Sequence, residues 1–155
     1  MVKTSGLPPE LVRALGSFDL DPCSPINRPW DTAAQHLTIE DDGLSTEWPE
    51  GARIWCNPPY GAQCSAWLRK MARHGNGIAL TFARTETKMF FQDVWNKADA
   101  VLFISGRLRF YNVTGKVCES NAGAPSVLIA YGEENSKVLS EVINLGKYIQ
   151  LKNYH

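Results

Sequence analysis

Two adjacent prolines set the strongest constraint on how this chain can fold. The run Ile54-Trp55-Cys56 is apolar and stops at Asn57-Pro58-Pro59-Tyr60-Gly61. Asn57 and Pro58 each precede a proline, so contact with the pyrrolidine ring pushes both out of the α region, and the prolines hold their own φ near about −65°. The segment is therefore a stiff, extended turn. Proline has no N–H to give to a central ladder, so Ile54 to Cys56 reads as a buried strand that ends at Asn57. A rigid polar loop then stands at the carboxyl end of a strand, where open α/β sheets bind ligands.

The rest of the chain alternates between strand and helix. Pro8 to Gly16 reads as a short helix with Leu11, Val12 and Leu15 on one face, and Ser17 to Leu20 as a strand. His36 to Glu40 alternates like another short strand. Cys64 to Gly75 is amphipathic: Cys64, Trp67, Leu68, Met71 and Ala72 form the core stripe, Arg69, Lys70 and Arg73 lie opposite, and Gly75 is the stop. Gly77 to Ala83 is a second buried strand. Thr87 can cap the next helix, in which Phe90, Phe91, Val94, Trp95 and Ala98 have helical spacing. Ala100 to Ser105 and Pro125 to Tyr131 complete the buried strands, joined by a hairpin or loop from Gly106 to Gly123. A last helix is expected from a cap at Asn135 or Ser136 to Gly146, and the tail to His155 carries no pattern. Such alternation predicts an α/β fold with a mostly parallel sheet and helices on both faces. Residues 1–155 read as a single domain, long enough to bury roughly 70% of the unfolded surface.

The chemistry of the central loop follows from its lone pairs. The Asn57 side-chain oxygen and the Pro58 carbonyl are two acceptors, and Tyr60 is a flat face beside them. An NH2 group on a planar ring offers two donors to match. Holding both hydrogens this way draws the nitrogen toward tetrahedral character and frees its lone pair, while Tyr60 stacks on the ring. No covalent nucleophile is needed.

Asn57-Pro58-Pro59-Tyr60 matches the [DNS]-P-P-[YFW] signature of amino-methyltransferases that use S-adenosylmethionine, and its surroundings resemble the short, phage-type Dam family of DNA N6-adenine methyltransferases. The resemblance spans about Phe18 to Gly132. It implies a Rossmann-like class I methyltransferase fold with a shortened N-terminal half, whose last strand inserts antiparallel. It also implies that Asn57 and Pro58 orient adenine N6 in duplex DNA, that Pro59 completes the turn, and that Tyr60 stacks on the flipped base. Asp21-Pro22-Cys23 is similar to the first half of the family's cofactor motif, although no G-x-G-x-x-G occurs anywhere in the chain. Asp19 or Asp31 is expected to take the cofactor ribose. Asp42 is expected at its adenine amino group, or else in a plain Asp-Gly turn.

The chain is formally neutral, but its charge is divided. Acids dominate up to Glu50, whereas Arg53, Arg69, Lys70, Arg73, Arg84, Lys88, Lys97, Arg107, Arg109 and Lys116 face only Glu86, Asp93 and Asp99 in the stretch to Lys116. An acidic half suits a cationic cofactor and a basic half suits phosphates. Arg84, Lys88, Arg107, Arg109 and Lys116 are the candidate DNA contacts, with Phe110 and Tyr111 among them. The four cysteines and three histidines show no metal-ligand or disulfide spacing, so no metal is expected. No stretch reads as a membrane span or secretory leader, which points to the cytoplasm. So little apparatus for reading bases implies either loose sequence preference or reliance on a second copy of the chain. Two rival readings stay open: methylation of an RNA base or a protein glutamine amide, and a non-catalytic methyltransferase-like binding module.

Overall fold

The computed structural model describes residues 5–6, 9–112, 117–121 and 124–154, with the backbone alone for 5–6, 109–112 and 117–121. In chain order the elements are β1 (Ser5–Gly6), α1 (Pro9–Ala14), β2 (Leu20–Asp21), β3 (Gln35–His36), β4 (Ile54–Cys56), α2 (Cys64–His74) and β5 (Gly77–Phe82). They are followed by α3 (Lys88–Phe90, widening into a π turn over Phe91–Trp95), β6 (Ala100–Ile104), β7 (Arg109–Asn112), β8 (Val117–Asn121) and β9 (Ser126–Tyr131). Helix α4 (Glu133–Glu141), a 3-10 turn (Ile143–Leu145) and β10 (Gly146–Gln150) close the chain.

Seven strands form one sheet in the order β10-β6-β9-β5-β4-β2-β3. β3, β2, β4 and β5 run parallel to one another. β9 lies antiparallel between β5 and β6, and β10 antiparallel on β6, so β6 points the same way as β5. The parallel half thus contains the Asn57–Tyr60 loop. β1, β7 and β8 make a small antiparallel sheet in which the predicted hairpin is the β7–β8 pair.

Strand alternation divides the core in two. Ile54, Cys56, Ala79, Val127 and Ile129 point to the face covered by α2 and α3, where Trp67, Leu68, Met71, Phe90 and Val94 pack. Trp55, Ile78, Leu80, Leu128 and Ala130 point to the other face, against Leu11 and Val12 of α1, Leu15 just after it and Leu139 of α4. Removing both strand faces from water is what makes these runs continuously apolar, and it leaves the sheet's ends as the places for polar chemistry.

Several boundaries differ from the sequence expectation. α4 starts at Glu133, so Asn135 and Ser136 are inside the helix and buried rather than at its cap. Asn135 is kept there by its bonds: its amide donates to the Tyr131 carbonyl and to Asn76 Oδ1, each at 2.8 Å, and its oxygen accepts from Arg53 Nε at 2.8 Å. The tail is not featureless, because β10 extends the sheet and Leu151 N donates to the Asp99 carbonyl at 2.8 Å. The strand expected at His36 to Glu40 is only Gln35–His36; Leu37 still donates to the Asp21 carbonyl and accepts from Ser24 N, and Asp41 N then turns back to the Thr38 carbonyl. Thr87 does cap α3, accepting from Phe90 N at 3.2 Å. The helix then widens, with Asn96 N reaching back to Phe91 O, and Phe91 is exposed instead of packed.

Candidate active site

β4, α2 and the turn between them present the central loop. Pro58 is buried, Asn57 and Pro59 are half-buried, and Tyr60 is 58% exposed. An aromatic ring held that far into solvent on a proline-stiffened turn is ready to stack on a planar partner. Its edge is supported by Phe82 at the end of β5, with ring centres 5.0 Å apart and planes at 63°. Arg84 leans over it, with a terminal nitrogen 3.4 Å from the Tyr60 hydroxyl and its guanidinium carbon 5.9 Å from the ring centre.

Beside this loop lies a cavity of about 350 Å³. Its walls come from the loop after β2 (Pro22 to Ile26), the loop after β3 (Thr38, Ile39 and Asp42 to Leu44), Pro59, and Gln63 and Trp67 around the start of α2. The three loops meet where the strand order reverses, because β2 has β3 on one side and β4 on the other. That is the topological switch point, the ligand crevice of open α/β sheets.

The first of these loops is organised by Asp21. Its carboxylate is buried, accepts from Cys23 N at 3.1 Å and takes the Thr32 hydroxyl proton in a second bond. Asp21 therefore shapes the loop, while Pro22 and Cys23 line the cavity. Asp42 lines it from the opposite side, in the left-handed region with φ 53°. It also forms the expected turn, its carbonyl accepting from Ser45 N and Thr46 N. Asp19 and Asp31 are not among the walls. Asp19 accepts from Arg53 N at 2.7 Å, and Asp31 pairs with Arg28 at 2.9 Å on the surface.

The sequence reading missed part of these walls. Trp67, expected in the core, is buried, yet it also faces the cavity, and its indole N–H has no partner among the described residues. Lys70 was placed on the solvent face, but it turns back to the 43–46 loop. Periodicity along α2 could not show either contact, because both partners come from a loop more than twenty residues away. Gly43 carried a readable signal, since an Asp-Gly pair marks a turn. A Cβ at Gly43 would stand 2.0 Å from the Pro22 carbonyl oxygen, so only glycine lets the two loops meet.

The cationic candidates divide by position. Arg84 follows β5, Lys88 opens α3 and Arg107 follows β6; all three are exposed. β4, β5 and β6 point the same way, so Arg84 and Arg107 leave the sheet at the end that carries Asn57 to Tyr60. Arg109 is described by its backbone in β7 alone, and Lys116 lies outside the described residues. Cys23, Cys56 and Cys64 are buried. Burial pushes the Cys64 thiol up, the Thr81 hydroxyl bond opposing it, so Cys64 is held protonated. Among the described residues, no group of three or more His, Cys, Asp or Glu side chains could hold a metal ion, and no helix is long and apolar enough to cross a membrane.

The sheet, the rigid amide loop and the cavity at its side define a methyltransferase-like α/β protein. The sequence model of the DNA N-6-adenine-methyltransferase (Dam) family matches residues 9–148, and the chain belongs to that family. It is a DNA N6-adenine methyltransferase, and DNA is its substrate. No curated protein matches the chain. Family membership favours a DNA adenine over the glutamine and RNA-base alternatives.

Proposed function

We propose that the chain transfers a methyl group from S-adenosylmethionine bound in the switch-point cavity to adenine N6 held at Asn57 and Pro58. The observation that carries this reading is the convergence of the loops after β2, β3 and β4 on one cavity beside the Asn-Pro-Pro-Tyr turn. The strand order, with β9 inserted antiparallel between β5 and β6, supports a Rossmann-like class I methyltransferase fold; on this reading residues 1–155 are one domain that acts in the cytoplasm.

The cavity fits the cofactor in size and chemistry. Its volume is within the range of roughly 300–1,000 Å³ usual for small-molecule sites. Trp67, Pro59, Ile39 and Leu44 offer apolar surface for a purine, and Asp42 offers a carboxylate for an amino or hydroxyl group. The tight Gly43–Pro22 contact closes the floor where a glycine-rich loop is otherwise expected. S-adenosylmethionine supplies an electrophilic methyl group on a sulfonium. The protein's part is positional and electrostatic: Asn57 Oδ1 and the Pro58 carbonyl accept hydrogen bonds from the two N6 hydrogens, the N6 lone pair turns toward the methyl as the thioether leaves, one N6 proton is then lost to solvent, and Tyr60 stacks on the extruded base. Arg84, Lys88 and Arg107, with Arg109 and Lys116 from the sequence, hold the phosphates around that base.

A calorimetric titration with S-adenosylhomocysteine tests the assignment. Wild-type protein should bind it, and Asn57→Ala should keep that affinity within about twofold while turnover collapses. Equal losses of binding and turnover would make Asn57 a structural residue and contradict the proposal.

A further inference from the structure

Lys70 makes more polar contacts than any role on a solvated helix face requires. From α2 its ammonium donates to the carbonyls of Gly43 at 3.1 Å, Leu44 at 2.9 Å and Thr46 at 2.5 Å, and it lies 4.6 Å from the centre of the Trp48 ring. Three protons meet three carbonyls, so the ammonium is fully used. Trp48 Nε1 donates to the Gly43 carbonyl as well, at 2.9 Å.

The loop held this way is costly to form. Asp42 has φ 53°, unusual for a residue with a Cβ, and Gly43 is pressed between the Pro22 carbonyl and the Trp67 ring. Three carbonyl oxygens converging on one point repel one another unless a cation sits at their centre. Asp42, Gly43 and Leu44 are at the same time one wall of the cavity, and Trp67, one turn before Lys70 on α2, is another.

We propose that Lys70 is a positioning residue for the cofactor, fixing the Asp42–Leu44 wall against Pro22 and Trp67 by holding the carbonyls of Gly43, Leu44 and Thr46. This rests on the reading that S-adenosylmethionine occupies that cavity. α2 starts directly behind the Asn57–Tyr60 loop, so one helix anchors both the methyl-accepting side and the cofactor side of the site. Lys70 touches neither substrate nor cofactor; it acts through backbone.

The test compares wild type, Lys70→Met, Lys70→Arg and, as a charge control from the exposed face of the same helix, Arg73→Met. S-adenosylhomocysteine affinity is read by calorimetry, duplex DNA affinity by fluorescence anisotropy, and steady-state kinetics with each substrate varied. Lys70→Met should bind S-adenosylhomocysteine roughly tenfold or more weakly, since charged hydrogen bonds to three carbonyls are lost. KM for S-adenosylmethionine should rise while kcat at saturation and DNA affinity stay within about twofold, and Lys70→Arg should fall between. Arg73→Met should match wild type. If Lys70→Met does not fold, Lys70→Arg carries the test: weaker cofactor binding at an unchanged melting temperature supports the role, and wild-type affinity overturns it. Equal weakening of DNA and cofactor binding would also overturn it, as the mark of general damage. Wild-type protein that takes up no S-adenosylhomocysteine would instead overturn the cofactor reading itself.

Discussion

On the proposed reading, Tyr60 is the residue on which substrate use depends most simply. Its ring stands on a turn with two fixed φ angles and is braced at one edge by Phe82, so little order remains to be gained on binding DNA. Extruding a base costs a few kcal/mol and an aromatic stack returns about 1–3 kcal/mol, which makes the ring a large share of the balance. Tyr60→Ala should therefore lower kcat/KM for DNA by roughly ten- to a hundredfold, at about 1.4 kcal/mol per decade, with cofactor affinity unchanged. An unchanged kcat/KM would remove stacking from the account. Asn57 to Tyr60 could be read from the sequence because proline acts on its immediate neighbours. Lys70 and Trp67 could not, because their significance comes from a loop that reaches them only in the folded chain.

Elements with local signals were equally legible. α2 runs from Cys64 to His74 and ends at Gly75, whose φ of 79° and N–H bond to Met71 O are the left-handed stop that the glycine announced. Thr87 caps α3 as its position suggested, and Thr87→Ala should cost about 1 kcal/mol in urea unfolding, against no change if the helix is held by packing alone. The misplaced start of α4 has a tertiary cause. Asn135 and Ser136 look like caps, but inside the helix they find half-buried partners in Arg53, Asn76 and Tyr148 from other elements. β10 was hidden for a similar reason: it is an edge strand with one packed side, so its alternation is weak, and only pairing with β6 defines it.

At the scale of the whole molecule, polar contacts help to hold the N-terminal half. His36 on the edge strand β3 accepts from Thr32 N at 3.1 Å and Ala33 N at 3.4 Å, which requires the neutral ring. Burial lowers its pKa from 6.5, and Arg28 adds to this, with Asp21 and Asp31 opposing. The unfolded chain thus takes up this proton before the folded one does. Its contribution is complete above 6.5 and is lost as pH falls through the lowered folded value. Urea unfolding at about pH 7.5 and about pH 5.5 should show a loss of stability that is smaller in His36→Gln; the same loss in both proteins would exclude His36 as its source.

On the proposed reading, the Asn-Pro-Pro-Tyr turn presents adenine N6 to a methyl donor in the switch-point cavity beside it. Family membership fixes the reaction, but which side chain carries it is a matter for direct measurement. The most direct one is transfer of label from S-adenosylmethionine to unmethylated duplex DNA by wild type and by Asn57→Ala, with the product digested to nucleosides. Label in N6-methyladenine with wild type, falling by roughly a hundredfold or more with a folded Asn57→Ala protein, is the expected result. N6-methyladenine formed equally well without Asn57 would contradict the account at its centre.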